Sequence, residues 1–136
     1  MRDNELIKAK ERAIYAVYKR GLEEGRFSSF RTAGEWVRRQ PAPRFFIDSR
    51  TASLLLGKIR SKEFLMRLHP SSRRMILCLD ERYARYLREH PKCALSRERV
   101  MEFLVEEPAP EFYITAESAR KIIRKAIRKV REKWDY

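Results

Sequence analysis

The chain has 136 residues, and its 32 Lys and Arg against 19 Asp and Glu give a net charge of +13. With 43% hydrophobic residues it is too apolar for a disordered tail, and its length fits one ordinary domain or two very small ones. No apolar run approaches the roughly 18–20 residues of a membrane span, and residues 1–5 lead into no apolar segment of a secretory signal. We therefore expect a cytoplasmic protein without a membrane partner.

The first half of the chain predicts three helices. Apolar residues recur at helical spacing over residues 4–22, which indicates a first amphipathic helix. Ser29 is a suitable N-cap for a short second helix over residues 30–39, and Asp48 is one for a third helix.

The second half predicts three more helices in the same order. Ser71 or Ser72 is the expected N-cap of the first of these, which a proline ends. Ser96 is expected to cap a short helix, and Thr115 to cap the last one, which runs to about residue 133. The expected fold class is therefore all-α.

The two halves of the chain resemble one another in sequence. Residues 41–47 read PAPRFFI and residues 108–114 read PAPEFYI, at an offset of 67 positions. Upstream, residues 15–20 parallel residues 83–88 at an offset of 68, so one residue has been gained or lost between the matches. We therefore predict an internal repeat of about 67 residues.

The repeat predicts two tandem three-helix units, residues 1–67 and residues 68–136. In each unit the proline motif joins the second helix to the third, because proline cannot continue a helix. The aromatic residues of the motif, among them Phe45 and Phe112, are expected to fill the core rather than to stack on a ligand.

The beginnings of the two third helices share one pattern. Residues 48–55 and residues 115–122 each have a polar cap, several polar residues, and then an alanine followed by aliphatic residues. This pattern resembles the recognition helix of the tri-helical helix-turn-helix domain of DNA-binding proteins. The connection differs, because about eight residues with two prolines stand where that family usually has a turn of three or four. The resemblance implies DNA binding through the third helix of each repeat.

The distribution of charge also favours a nucleic acid as partner. Arg outnumbers Lys by 22 to 10, and its planar guanidinium suits phosphates and guanine edges. The first half has a net charge of +8 and the second half of +5, and the densest basic run is the last helix. The candidate nucleic-acid-binding residues on the third helices and the first proline loop are Arg44, Ser49, Arg50, Ser53, Lys58, Arg120, Lys121, Arg124, Lys125 and Arg128.

No sequence motif points to catalysis or to a metal site. The chain contains no Gly-rich phosphate loop, no Gly-x-Ser-x-Gly and no His-Glu-x-x-His. His69, Cys78, His90 and Cys93 do not follow the paired spacing of zinc ligands. We therefore predict no catalytic residue, no metal and no cofactor.

Two functions are compatible with the sequence. The first is non-enzymatic nucleic-acid binding, with DNA favoured over RNA, as a regulator or accessory factor. The alternative is a small helical protein-interaction or assembly module whose basic surface is merely solvated. A homo-oligomer or a protein partner is compatible with either function.

Overall fold

The computed structural model describes residues 3–134, and seven helices lie in that part of the chain. They are α1 (Asp3–Glu24), α2 (Phe30–Arg38), α3 (Ser49–Lys58), α4 (Lys62–Arg67), α5 (Pro70–Glu89), α6 (Arg97–Leu104) and α7 (Ala116–Trp134). The described residues contain no β-strand beyond a single bridge between Ala42 and Ala109. The predicted all-α fold class is thus confirmed.

Four of the predicted N-caps are confirmed. The side chains of Ser29, Asp48, Ser96 and Thr115 each accept a hydrogen bond from the backbone N–H three residues later. Such a bond satisfies one of the four N–H groups that a helix N-terminus leaves without a partner. The beginnings of α2, α3, α6 and α7 are therefore determined by local sequence.

The predicted beginning of α5 is wrong. Neither Ser71 nor Ser72 is the N-cap, because the helix begins at Pro70 and His69 occupies the cap position. The ring nitrogen Nδ1 of His69 accepts a hydrogen bond from the backbone N–H of Ser71 at 3.2 Å. Proline is well suited to the first helical position, since its missing N–H would have no partner there in any case.

The short helix α4 was not predicted. Ser61 caps its beginning, and a side chain from α5 holds its end. The guanidinium of Arg73 donates hydrogen bonds to the carbonyl oxygens of Leu65, Met66 and Leu68 at 3.1 Å each. The six-residue helix therefore depends on a partner that lies outside its own sequence.

The chain divides into two compact units, one continuous in sequence and the other made of two separated segments. The central unit is Pro43–Pro108 and contains α3, α4, α5 and α6. The terminal unit combines residues 3–42 with residues 109–134 and contains α1, α2 and α7. The chain enters the central unit after Ala42 and leaves it after Pro108, so both changes of unit fall inside the Pro-Ala-Pro motifs.

Each third helix packs with the first two helices of the other half of the sequence. In the terminal unit α7 packs against α1 and α2, and in the central unit α3 packs against α5 and α6. The division into residues 1–67 and 68–136 rests on the similarity of the two halves in sequence, and the internal repeat stays a prediction. The compact units group the same helices differently.

The core of the terminal unit lies where the three helices meet. Ile14 of α1, Ala33 and Val37 of α2, and Ala119 and Ile123 of α7 have no exposed surface. Next to this core Ala42 and Ala109 exchange two backbone hydrogen bonds of 2.9 Å each. This reciprocal pair joins the segment that follows α2 to the segment that precedes α7, within one unit.

The core of the central unit contains the first aromatic ring of the proline motif. Phe45 has no exposed surface, and its backbone N–H donates to the carbonyl oxygen of Val105 at 2.8 Å. The guanidinium of Arg82 lies 4.9 Å from the centroid of the Phe45 ring and also donates to the carbonyl oxygen of Pro108. In the terminal unit Phe112 is only 3% exposed. The prediction that both rings belong to the core is confirmed.

Two glycines inside helices provide a test of this packing. An ideal Cβ at Gly34 in α2 would lie 2.7 Å from the carbonyl oxygen of Ala116 and 2.8 Å from Cγ of Arg120. At Gly57 in α3 the nearest atom, Nη2 of Arg97 at 2.8 Å, is the end of a flexible side chain.

We expect Gly34→Ala to lower the free energy of unfolding by about 1–3 kcal/mol, because α2 and α7 must move apart. Gly57→Ala should leave it unchanged or raise it by up to about 1 kcal/mol, since alanine favours the helix. Urea unfolding of both variants measures the difference, and equal destabilisation would contradict the described α2–α7 packing.

Candidate nucleic-acid interface

The strongest concentration of positive charge in the described structure is on α7. The helix has eight Lys and Arg against two Glu, and its apolar positions Ala119 and Ile123 are buried against its neighbours. Burial of that stripe leaves most of the charge facing outward. The exposed basic residues of α7 are Lys121, Arg124, Lys125, Arg128, Lys129, Arg131 and Lys133.

The two units differ in charge. The described residues of the terminal unit include 17 Lys and Arg against 9 Asp and Glu, a net charge of +8. The central unit has 14 against 9, a net charge of +5. Because α7 alone contributes +6 of the +8, the excess of the terminal unit is localised on one helix rather than spread over its surface.

Two of the predicted binding residues on α7 hold the helix to α2. Arg120 is half-buried and its Nη1 donates to the carbonyl oxygen of Arg31 at 3.2 Å. The guanidinium of Arg124 lies 4.8 Å from the centroid of the Phe30 ring, a cation–π distance. Arg120 therefore has a structural role, whereas Arg124 combines such a contact with an exposed side chain.

Three further predicted residues of α7 are exposed, and they differ in whether they form ion pairs. Lys125 forms an ion pair of 3.1 Å with Glu11 of α1, and Lys121 forms an exposed pair of 3.7 Å with Glu117. The side chain of Arg128 makes no hydrogen bond or ion pair within residues 3–134. An exposed pair such as Lys121–Glu117 contributes little to stability, so Lys121 and Arg128 remain available to an anion.

Two of the predicted residues of the central unit form hydrogen bonds within that unit. Arg44 donates to the carbonyl oxygen of Phe45 at 3.0 Å and to that of Ile47 at 3.3 Å, which ties it to the proline loop. Ser53 accepts a hydrogen bond from Nε of Arg97 at 3.2 Å, and so it faces α6 rather than solvent.

The remaining candidates of the central unit lie at the two ends of α3. Arg50 is exposed in the first turn, and Lys58 in the last turn has its Nζ 5.6 Å from the ring centroid of Phe64. Ser49 lines a cavity together with Arg44 and three carboxylates, those of Asp48, Glu102 and Glu106, so the net charge around it is negative and opposes a phosphate. The beginning of α3 is thus a poorer anion site than the length of α7.

The shifted pKa of Asp48 agrees with this contrast. Partial burial would raise the pKa of Asp48, but hydrogen bonds from the backbone N–H and the hydroxyl of Thr51 outweigh burial and lower it. The Asp48 carboxylate therefore stays ionised at the beginning of α3. On α1, burial lowers the pKa of the half-buried Lys10, because its ammonium loses hydration.

Sequence reasoning missed a basic cavity between α1 and α7. Its volume is about 220 Å³, and its lining residues are Lys8, Glu11, Arg12, Tyr15, Ala126 and Lys129. The three α1 positions 8, 12 and 15 follow the i, i+4, i+7 spacing of one helix face. That spacing could be recognised in the sequence, but no pattern near these residues indicates that α7 is the helix that completes the cavity.

The ten predicted residues are not brought together in one unit. Five lie in the terminal unit on α7, and five lie in the central unit on α3 or in the loop before it. Within residues 3–134, no group of three or more His, Cys, Asp and Glu side chains is arranged to hold a metal ion, and both cysteines are free. None of the helices described above is both long enough and apolar enough to cross a membrane.

Comparison with known proteins assigns no relative to this all-helical chain. No protein family, no curated protein and no solved structure matches it.

Proposed function

We propose that this chain is a non-enzymatic nucleic-acid-binding protein, with DNA favoured as its ligand, that acts as a regulator or accessory factor. The binding surface is the exposed side of α7 together with the adjacent side of α1. One observation carries the proposal: α7 has eight basic residues against two acidic ones, and its apolar stripe is buried. A row of fixed positive charges on a folded helix attracts a polyanion and releases its counterions on binding.

A helix-turn-helix-like arrangement is proposed for each unit, with the repeat as its origin. The packing of three helices in each unit supports it, with α7 and α3 as the respective third helices. The N-caps support the repeat, since Ser29 and Ser96 are 67 positions apart, as are Asp48 and Thr115. In this proposal the two copies have exchanged their third helices, and only α7 has kept a strongly basic exposed side.

Paired arginine substitutions provide a test in which net charge is held equal. Arg128 and Arg131 are exposed on α7, and Arg85 and Arg88 are exposed on α5 with the same residue type and the same spacing. We expect Arg128→Ala with Arg131→Ala to weaken binding to a labelled DNA duplex and to lower the slope of log Kd against log salt by up to about 2. Arg85→Ala with Arg88→Ala should change both quantities much less. Fluorescence anisotropy at several salt concentrations measures them, and equal losses in the two double variants would contradict a binding surface on α7.

A second candidate function, a protein-interaction module, is favoured by apolar surface on the central unit. Leu87, Leu95 and Phe103 are 40%, 51% and 41% exposed. Leu95 also lines a mainly apolar cavity of about 420 Å³ with Tyr86 and Cys93. This function predicts that the full chain binds neither duplex nor single-stranded nucleic acid at low salt, which separates it from the first proposal.

A further inference from the structure

The cavity between α1 and α7 combines positive charge with an aromatic ring. Resting on the proposed function, we infer that it seats one nucleotide of an unpaired strand. The phosphate lies among Lys8, Arg12 and Lys129, and the base stacks on Tyr15. The nucleic acid preferred by the terminal unit is then a single strand rather than a duplex.

The charges around the cavity favour a phosphate despite the presence of one carboxylate. Glu11 has a side chain only 18% exposed, and its Oε1 lies 3.1 Å from Nζ of Lys125. That ion pair compensates the negative charge of Glu11. The other charged groups that line the cavity, Lys8, Arg12 and Lys129, are all cationic and exposed. A phosphate there would meet three positive charges of which none is held in an ion pair within the described residues.

The aromatic ring in the cavity is held in place by neighbours. The Tyr15 ring stacks on Tyr18 at a centroid distance of 6.2 Å and an angle of 24°, and Tyr18 stacks on Phe27 at 5.5 Å and 15°. Nζ of the exposed Lys19 lies over the Tyr15 ring, 5.2 Å from its centroid, and a base that stacks on that face displaces this flexible side chain. A ring already fixed in a row of aromatic groups loses little entropy when a base adds to it.

An unpaired strand meets the requirements of this cavity better than a duplex does. In a duplex the bases are stacked on each other inside the helix and only their edges reach the grooves. A base that must lie against Tyr15 while its phosphate contacts Lys8 or Lys129 has to be free of its partner. Aromatic stacking combined with a positively charged groove is the usual means by which proteins hold single strands.

The central unit contains a cavity at the corresponding place that is less basic. Its volume is about 290 Å³, and it is formed by α5, α3 and α6. Tyr83 and Asp80 in its lining are 68 positions after Tyr15 and Arg12, so an acid stands where the terminal unit has an arginine. Arg60 and Arg97 also line this cavity, but Nε of Arg97 donates to the hydroxyl of Ser53 at 3.2 Å. This cavity therefore has one exposed basic residue, Arg60, where the terminal unit has three, and Tyr83 is the matched control.

Anisotropy titrations with two labelled ligands test the inference. The ligands are an unstructured oligo-dT and a DNA hairpin with the same number of phosphates, both measured with the full chain at one salt concentration. We expect Tyr15→Leu to weaken oligo-dT binding about tenfold and to leave hairpin binding nearly unchanged. Tyr15→Phe should retain affinity for both ligands, and Tyr83→Leu should behave like the unmodified chain. Circular dichroism melting of each variant establishes that its helices are folded.

A crosslinking measurement on the unmodified chain tests the same contact without any substitution. Oligo-dT containing 5-iodouracil is irradiated in the complex, and the adduct is mapped by mass spectrometry. An adduct on Tyr15 supports the inference, and adducts confined to other parts of the chain overturn it. Equal losses for oligo-dT and hairpin in Tyr15→Leu also overturn it while leaving the proposed function intact. If the unmodified chain binds neither ligand at low salt, the proposed function itself has failed.

Discussion

A fragment of residues 43–108 should fold cooperatively on its own, whereas a fragment of residues 1–67 should not. The first fragment is the whole central unit, in which α3 packs against α5 and α6. The second contains α1 and α2 without α7, and α3 without α5 and α6. Its apolar stripes would then remain in water, and isolated helices of this length are marginal.

Circular dichroism melting and amide NMR dispersion of the two fragments measure this difference. A cooperative transition for residues 1–67, with none for residues 43–108, would contradict the described grouping of helices. Equimolar mixing of fragments 1–67 and 68–136 is a second test, because each fragment supplies the helices that the other lacks. We expect helicity to rise well above the sum of the separate fragments.

Phe45→Ala should lower the free energy of unfolding by about 3–5 kcal/mol, the usual cost of removing a fully buried phenyl ring. The ring has no exposed surface, and its removal leaves a cavity and deprives Arg82 of its cation–π contact. Such a loss is a large part of the total stability of a small unit.

Phe103→Ala is the matched control for this substitution. Phe103 belongs to the same unit, but it is 41% exposed and its ring contacts Tyr86 at 5.2 Å. We expect a loss of about 1 kcal/mol there. Urea unfolding monitored by circular dichroism compares the two variants. A Phe45→Ala midpoint equal to that of Phe103→Ala would contradict a core position for Phe45.

The positions of the helices were predictable because their signals are local. A capping side chain acts on a backbone N–H three residues away, as at Ser29 and Asp48, and apolar periodicity lies within each helix. Where the determinant is distant, prediction failed. Helix α4 depends on the guanidinium of Arg73 in α5. The cap of α5 is a local signal that was assigned to a serine instead of His69.

The partners of the third helices were not predictable from the sequence. The apolar stripe of α3 shows that the helix packs against something, but the stripe does not distinguish α2 from α6. The direction in which the chain leaves each Pro-Ala-Pro motif determines which helix is the partner. Backbone hydrogen bonds such as that from Phe45 to Val105 fix this direction. These contacts join segments far apart in the sequence.

The candidate site was partly predictable for the same reason. Burial of one side of α7 determines which of its basic residues are exposed, so Arg128 could be identified from periodicity alone. Hydrogen bonds from Arg120 to Arg31 and from Arg97 to Ser53 come from other helices, and no local pattern indicated them. Lys8 and Arg12 were missed because the cavity that they line is completed by α7.

The salt dependence of nucleic-acid binding by the full chain measures directly whether the basic residues of α7 contact phosphates. If about four of the exposed basic side chains of α7 contact phosphates, affinity for a labelled oligonucleotide should fall on the order of 100-fold between about 50 and 200 mM salt. A phosphate-binding surface on α7 predicts that steep linear decrease of log affinity with log salt. Absence of binding to both duplex and single-stranded ligands at the lowest salt concentration would contradict it.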